Sequence, residues 1–293
     1  SLKSENCESW NGEISEWLKQ MPQLQSICIE CEFYQSTVLN NPLEIPPLAE
    51  LKQLYIHSPI AADRLVISAL PSLTRLSVNV CYPYTTSSWL PNLSGMTSLE
   101  SLTRYSLTLP EMIEMSRYLP PQIGEFNLFA IRMEEPEGLD VFWRNMMTCT
   151  HLTSLNISHF KQLPPAFFLE WMKTSPISTI TLEIHTDDDP IASHFAQVLC
   201  EMKQLRELEL DGRWKLMEPQ LKKCTQLTKL HIPSTMVPPT MATMVENMSE
   251  LVELRVNKQM SPPFYDLHFP QLTSLDILVQ DSDLHLLADF LQR

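Results

Sequence analysis

Glycine is scarce in this chain, with only 5 residues among 293. No glycine-rich phosphate loop of the Walker type occurs, so nucleotide binding by such a loop is excluded. Long apolar runs are also missing, and every run is far shorter than the roughly 20 residues that a membrane-spanning helix needs. Residues 1–17 contain no apolar segment of the signal-peptide kind. A chain that opens Ser-Leu-Lys is nevertheless expected to be part of a longer protein.

Positive charge is in short supply. Lysine and arginine number 21 against 35 aspartates and glutamates, which gives a formal net charge of −14. Binding to phosphates requires a basic face, so a nucleic-acid partner is not expected. The charge favours a basic protein as partner.

The seven cysteines are odd in number and scattered through apolar segments. This use predicts buried thiols that act as small apolar residues in a reducing compartment, and hence a cytoplasmic location. Three Asn-x-Ser sequons, at Asn92, Asn156 and Asn247, are the signal in favour of secretion. A serine-rich chain produces a few sequons by chance, and Asn156 falls on a predicted strand, where a glycan is poorly accommodated.

A repeat with the pattern L-x-x-L-x-[LIV] fills the chain. Examples are "LPSLTRLSV", "CTHLTSLNI", "MKQLRELEL" and "FPQLTSLDI". Successive copies begin 21 to 29 residues apart, with a mean of about 25. The eleven copies have their first apolar residue at Leu24, Leu51, Leu73, Leu99, Ile123, Leu152, Ile177, Leu205, Leu227, Leu251 and Leu272.

Each copy predicts a short strand whose last two apolar residues point into the core, while the residues between them point outward. The segments between strands carry apolar residues at helical spacing, as in "DPIASHFAQVLCEM" from Asp189. Prolines in loops such as "EIPPL" and "VPPT" fix the turns in place of glycine. Further helices are predicted at 14–21, 139–147, 165–173, 240–248 and 282–292.

The chain resembles a leucine-rich repeat protein throughout. The resemblance implies an α/β solenoid, a curved horseshoe of about 11 repeats, with parallel strands on the concave face and helices and irregular loops on the convex face. Residues 1–293 are expected to form one domain. The regular form of the family has Asn or Cys three residues after the last strand leucine, and only Cys81 matches here. The missing polar ladder predicts irregular curvature.

The irregular repeats resemble the C-terminal sensor regions of NOD-like (NACHT-containing) immune receptors, and also the substrate-recruiting halves of F-box proteins. The first resemblance implies recognition of a protein or microbial ligand, autoinhibition, and contact with a neighbouring domain of the same chain. The second implies presentation of a substrate for ubiquitin transfer. A preceding nucleotide-binding domain or F-box would discriminate between them.

The outward strand positions define a candidate binding surface on the concave face. Three acids alternate on one strand, and they are interpreted first as a solvated face and second as a patch for a basic partner. Outward aromatics are candidate interface anchors, with packing against neighbouring side chains as the alternative. No catalytic, cofactor or metal site is predicted, so the chain is not expected to be an enzyme. The candidate surface consists of Tyr55, His57, Arg75, Tyr105, Phe129, Glu183, Glu207, Glu209, Asp211 and Arg255.

Overall fold

The structure is a computed structural model that describes most of the chain. The chain forms two compact units, residues 1–156 and 157–293. The described residues are 2–4, 13–31, 42–61, 64–81, 87–105, 107–129, 138–160, 163–184, 189–212, 218–232, 238–259, 267, 269–278 and 284–291.

Every copy of the repeat forms one strand. In unit 1 the strand order is β1-β2-β4-β6-β7-β8, and in unit 2 it is β10-β11-β12-β13-β14, with neighbouring strands running parallel. A separate pair, β3 and β5, was not predicted. The strands are β1 (Leu2–Ser4), β2 (Ser26–Cys31), β3 (Leu43–Ile45), β4 (Gln53–Ala61), β5 (Leu65–Ile67), β6 (Arg75–Cys81), β7 (Ser101–Tyr105), β8 (Glu125–Phe129), β9 (Ser154–Phe160), β10 (Thr179–Ile184), β11 (Glu207–Gly212), β12 (Lys229–Ile232), β13 (Glu253–Gln259) and β14 (Ser274–Leu278).

The apolar residues of the repeat form the core, as predicted. In β4 the inward residues Leu54 and Ile56 are fully buried, and Leu51 ahead of the strand is fully buried as well. Tyr55 between them is only half-buried, because successive side chains of a strand point to opposite faces. Equivalent residues pair across neighbouring strands in register, so the inward residues line up as continuous apolar rows.

One backbone carbonyl ahead of most of the described repeat strands binds the following repeat. Lys52 O accepts hydrogen bonds from Thr74 N and Arg75 N at 2.8 and 3.0 Å, and the Thr74 hydroxyl donates to the same oxygen at 3.0 Å. The pattern recurs in unit 2, where Arg206 O accepts from Thr228 N, Lys229 N and Thr228 Oγ1. The threonine in L-T-x-L is therefore a link between repeats.

Glutamine provides a second link. Gln226, directly before the first leucine of its repeat, donates through Nε2 to Leu199 O at 3.3 Å and Met202 O at 3.1 Å. Gln122 and Gln204, at the same repeat position, also donate to carbonyls of the preceding repeat. These side chains satisfy backbone acceptors that face away from water. At these three repeats, a polar side chain thus binds backbone carbonyls of the preceding repeat.

A helix is found at each of the six segments that the sequence predicts to be helical. Two α-helices, α2 and α6, and a 3-10 helix at Leu90–Gly95 were not predicted. Helix α2 begins after Thr108, whose hydroxyl accepts a hydrogen bond from Glu111 N, and this cap defines its start. The helices are α1 (Glu13–Lys19), α2 (Leu109–Ser116), α3 (Leu139–Met146), α4 (Ala166–Met172), α5 (Asp189–Glu201), α6 (Glu218–Leu221), α7 (Pro238–Val245) and α8 (Leu284–Leu291).

A disulfide joins Cys200, near the end of α5, to Cys224, just after α6. Separate apolar thiols were predicted for these cysteines, and for this pair the prediction is wrong. The two residues are 24 positions apart, about one repeat, so stacking of consecutive repeats brings their Cα atoms to 4.4 Å. That distance lies in the range that a disulfide requires. A buried thiol, as predicted, is found at Cys149.

Arg104 is one of two charged residues in the core of the described part of the chain, and Glu111 is the other. Arg104 stands where the repeat calls for a leucine, isoleucine or valine, and it is fully buried. Its Nη2 lies 2.9 Å from Glu111 Oε1 of α2, and Nη1 donates to Tyr105 O at 3.0 Å. The Ser87 hydroxyl donates to the same Glu111 oxygen. This buried ion pair ties β7 to the following helix.

Removing one member of the buried pair should destabilise the protein strongly. We expect Glu111→Ala to lower the free energy of unfolding by about 3–5 kcal/mol, because Arg104 is left buried without its counter-charge. An apolar double variant, Arg104→Met/Glu111→Leu, should recover most of that loss. The measurement is urea unfolding, and the control is Glu114→Ala, which breaks an exposed pair with Arg117 on the same helix and should cost at most about 1 kcal/mol. Equal losses in Glu111→Ala and Glu114→Ala would contradict a special role for the buried pair.

The disulfide should contribute measurably to stability. Closing a loop of 24 residues restricts the unfolded chain, and we expect Cys200→Ser/Cys224→Ser to lower the free energy of unfolding by about 3 kcal/mol. The single variant Cys200→Ser should behave like the double variant, since either change opens the same loop. Urea midpoints within experimental error of the unchanged protein would show that the cross-link does not hold the fold.

Candidate functional site

A row of three aromatic side chains lies on the outward side of the unit 1 sheet. The rings of Tyr105 and Phe129 are stacked, with centroids 4.8 Å apart and planes 14° apart. His57 meets the ring of Tyr105 edge-on, at 5.5 Å and 72°. We call His57, Tyr105 and Phe129 the aromatic row. Offset-stacked and edge-to-face contacts are the geometries that aromatic rings prefer.

The strand register explains why these residues meet. Tyr105 of β7 is paired with Phe129 of β8, and Asn79 of β6 lies between Tyr105 and His57 of β4. The small amide of Asn79 leaves room for the two rings to approach each other above it. Tyr105 thus has a ring neighbour on both sides, and it is half-buried.

Uncharged polar side chains surround the aromatic row. The amide of Asn127 donates to Thr103 Oγ1 at 3.2 Å, and His57 Nε2 lies 3.4 Å from Ser77 Oγ. Tyr55 is half-buried on the same face, whereas Arg75 is exposed at the start of β6. These groups can exchange hydrogen bonds with a partner, so this face combines apolar edges with adaptable polar groups.

The outward side of the unit 2 sheet is charged instead. Glu207 lies 2.7 Å from Lys229 Nζ, and Glu209 lies 2.7 Å from His231 Nδ1, both across the β11–β12 pair. Across the β13–β14 pair, Arg255 Nε lies 3.1 Å from Asp276 Oδ2. We call these six residues the charged face. Glu207 and Glu209 of β11 therefore each have a cationic or titratable neighbour.

The ion pairs are partly open to solvent around a shallow depression of about 210 Å³. The side-chain hydrogen bond to Glu207 raises the pKa of Lys229, and the charges of Glu207 and Glu253 act in the same direction while desolvation opposes them. In the strand register, Lys229 lies beside Glu207 of β11 and beside Glu253 of β13. Opposite signs thus alternate from β11 to β13, and the face offers no strong field of one sign.

Glu209 and His231 are the two residues of this face that most resemble an acid–base pair. Thr181 Oγ1 lies 3.5 Å from Glu209 Oε2, the carboxylate that contacts the His231 ring. The second ring nitrogen, His231 Nε2, is buried. Among the described residues, no group of three His, Cys, Asp or Glu side chains is placed to hold a metal ion.

The structure divides the ten candidate residues into groups. Tyr55, His57, Arg75, Tyr105 and Phe129 belong to the unit 1 face, and Glu207, Glu209 and Arg255 belong to the unit 2 face. Sequence reasoning missed the charge partners Lys229, His231 and Asp276. Their outward positions beside Glu207, Glu209 and Arg255 follow from the repeat alignment, but the side-chain contacts required the structure. The side chains of the two remaining candidates, Glu183 and Asp211, lie outside the described residues.

The class of protein follows from the fold. One parallel strand per repeat of about 25 residues, inward leucines and intervening helices define a leucine-rich repeat solenoid. Within the residues that the structure covers, no helix is long and apolar enough to cross a membrane.

Comparisons with known proteins give matches only among solved structures. No family model and no curated protein matches the chain. Solved structures that match include an internalin of Listeria monocytogenes, with a TM-score of 0.44 and 16% identity over 83% of this chain and 66% of the internalin chain, just under two thirds of its length. A leucine-rich repeat protein of Leptospira interrogans matches with a TM-score of 0.46 and 10% identity, over 99% of this chain and 92% of its own.

The ion pairs of the charged face should matter little for folding. Lys229 and Glu207 are 48% and 38% exposed, and exposed pairs contribute at most about 1 kcal/mol because water screens them. We expect a double-mutant cycle with Glu207→Gln and Lys229→Met to give a coupling energy below that limit in urea unfolding. A coupling of several kcal/mol would show instead that the face is part of the folding core, and charge variants would then be unsuitable for binding experiments.

Proposed function

We propose that this chain is a non-catalytic recognition domain that binds a protein ligand through the outward side of its sheet. The observation that carries the proposal is the aromatic row, in which Tyr105 is held between His57 and Phe129. Its three residues are half-buried, and they lie on regular strands of a parallel sheet and not on loops. Binding residues on rigid elements are positioned more precisely than those on loops.

The energetics favour the aromatic row as the anchor. Tyrosine and other aromatic side chains dominate interface hot spots, where truncation costs about 2 kcal/mol or more. A ring that is already fixed by its neighbours loses little conformational entropy when a partner covers it. The half-buried Thr103 and Asn127 beside it offer polar groups, and they carry no charge that would have to be desolvated.

The charged face has a different role in this proposal. The net charge of −14 attracts a basic protein over long distances. Glu207 and Glu209 are already paired with Lys229 and His231, so a basic partner gains little from direct contact with them. Charge of this kind accelerates association more than it strengthens the final complex. The proposal therefore keeps the basic partner that the sequence favours, because its charge would speed up association with this chain.

The resemblance to NOD-like receptors supplies a finer version. The chain would be the sensor region of such a receptor, recognising a microbial or host ligand in innate immunity and holding a neighbouring nucleotide-binding domain inactive until the ligand binds. The F-box alternative would use the same surface to present a substrate for ubiquitin transfer. Both versions treat residues 1–293 as one domain of a longer protein.

Both finer versions imply a cytoplasmic location, and the Cys200–Cys224 disulfide opposes it. Disulfides persist in oxidising compartments and are rare in the cytosol of most cells. In protein isolated from its natural source, a cytoplasmic location predicts free thiols at Cys200 and Cys224, whereas an oxidising compartment predicts the disulfide. Burial raises the pKa of the Cys149 thiol to about 11, so the count requires a denatured chain.

Binding should depend on the aromatic row. We expect Tyr105→Ala/Phe129→Ala to reduce the recovery of at least one bound protein about tenfold or more, since a hot-spot loss of 2 kcal/mol exceeds the 1.4 kcal/mol that corresponds to tenfold. The measurement is quantitative mass spectrometry of proteins that co-purify with the tagged chain from the cells that produce it.

The matched control is Trp17→Ala on α1, which removes an exposed aromatic side chain elsewhere in unit 1. It should leave recovery unchanged. A second comparison, Glu207→Lys/Glu209→Lys, measures the contribution of the charged face. If every partner is recovered equally with and without the aromatic row, recognition does not use this surface and the proposal fails.

A further inference from the structure

The three sequons of the chain differ sharply in what their asparagines do in the folded protein. The first, Asn92, lies in the 3-10 helix between the fully buried Leu90 and Leu93. Its Nδ2, the atom that would carry a sugar, donates to Ile67 O at 2.7 Å. A glycan at this nitrogen would break that hydrogen bond and would have to leave from a half-buried position. Asn92 is therefore unsuited to glycosylation.

The second sequon is on a strand. Asn156 lies in the middle of β9, its side chain is half-buried, and its Oδ1 is buried. An oligosaccharide there would cover the outward side of the strand and its neighbours. Asn156 is therefore a poor acceptor, as its predicted strand position already indicated.

The third sequon is accessible. Asn247 is exposed in the turn that follows α7, and Ser249, the hydroxyl residue of the sequon, is exposed as well. Hydrogen bonds from Met248 N to Val245 O and from Leu251 N to Met248 O fix the turn on both sides. The buried side chains of Val245 and Met248 hold it against unit 2. The Asn247 side chain thus projects into water from a well-anchored turn, and a bulky group there displaces no core contact.

The Cys200–Cys224 disulfide is an independent observation that bears on the same question. It lies in the same unit as Asn247 and is typical of chains that fold in an oxidising compartment. In eukaryotes that compartment is also where asparagine-linked glycosylation takes place. An accessible sequon is glycosylated only in a chain that passes through this compartment.

We propose that Asn247 is a site of N-linked glycosylation, and that Asn92 and Asn156 remain unmodified. The donor is an oligosaccharide carried on a polyprenyl pyrophosphate. Transfer forms a bond between Asn247 Nδ2 and C1 of the first sugar and breaks the bond from C1 to the pyrophosphate oxygen. The polyprenyl pyrophosphate leaves, and Nδ2 loses one proton. The product is a bulky, solubilising group on a surface turn, which is the usual place for such glycans.

Three matched variants test the choice of site, because each deletes one sequon hydroxyl and keeps the asparagine. The full chain is secreted from cultured eukaryotic cells, and its intact mass is compared before and after digestion with peptide-N-glycosidase. We expect one glycan per chain in the unchanged protein, in Ser94→Ala and in Ser158→Ala, and complete loss in Ser249→Ala. Asn247→Gln should show the same loss, which separates an effect of the modification from an effect of Ser249 on folding.

Two results would overturn the proposal at this stage. One is a secreted chain without glycan, and the other is a glycan that persists in Asn247→Gln or disappears in Ser94→Ala or Ser158→Ala. The natural chain gives the final test. Digestion of protein from its own cells in ¹⁸O-labelled water should mark position 247 by conversion of the asparagine to a labelled aspartate, and an unmarked peptide refutes the proposal.

Discussion

The register between neighbouring repeats is set at one carbonyl oxygen, and the orientation of every outward side chain depends on it. In the repeat that begins at Leu73, Lys52 O binds two successive N–H groups and the Thr74 hydroxyl. Three donors on one acceptor leave a single alignment of the strands. Because side chains alternate with a period of two, a slip of one residue would turn Tyr105 or Glu209 into the core. The aromatic row and the charged face both exist because this alignment is kept.

Charge is handled in opposite ways on the two sides of the sheet. Inside, Arg104 and Glu111 are both fully buried, and an ion pair in that setting requires its partner because water cannot replace it. Outside, Glu207 and Lys229 share the same kind of contact but remain accessible, and water screens them. Similar distances therefore have different energetic meanings. This difference allows the outward face to vary its side chains while the fold stays the same.

The sequence predicts the inward half of the structure well and the outward half only in part. Leucine spacing identifies each strand and its direction, so the outward position of Tyr105 or Glu207 follows from the spacing alone. What Glu207 contacts depends on which residue of the next repeat stands beside it. Equivalent repeat positions pair across neighbouring strands whatever the loop length, so the repeat alignment already places Glu207 beside Lys229, but it does not tell whether the two side chains meet. The Cys200–Cys224 disulfide was hidden for another reason, since neither cysteine lies on a strand of the repeat.

The Arg104–Glu111 pair limits how the repeats can be rearranged. Repeats joined only by leucines, threonines and glutamines present equivalent surfaces to their neighbours, so one can be duplicated or removed with its sequence unchanged. The repeat that begins at Leu99 is different, because Arg104 reaches Val78 O of the repeat before it and Glu111 of the helix after it. Its place in the order is therefore fixed. In a lineage where neighbouring repeats are gained and lost, this repeat can be recognised by its buried Arg–Glu pair, and the positions of the other repeats can be numbered relative to it.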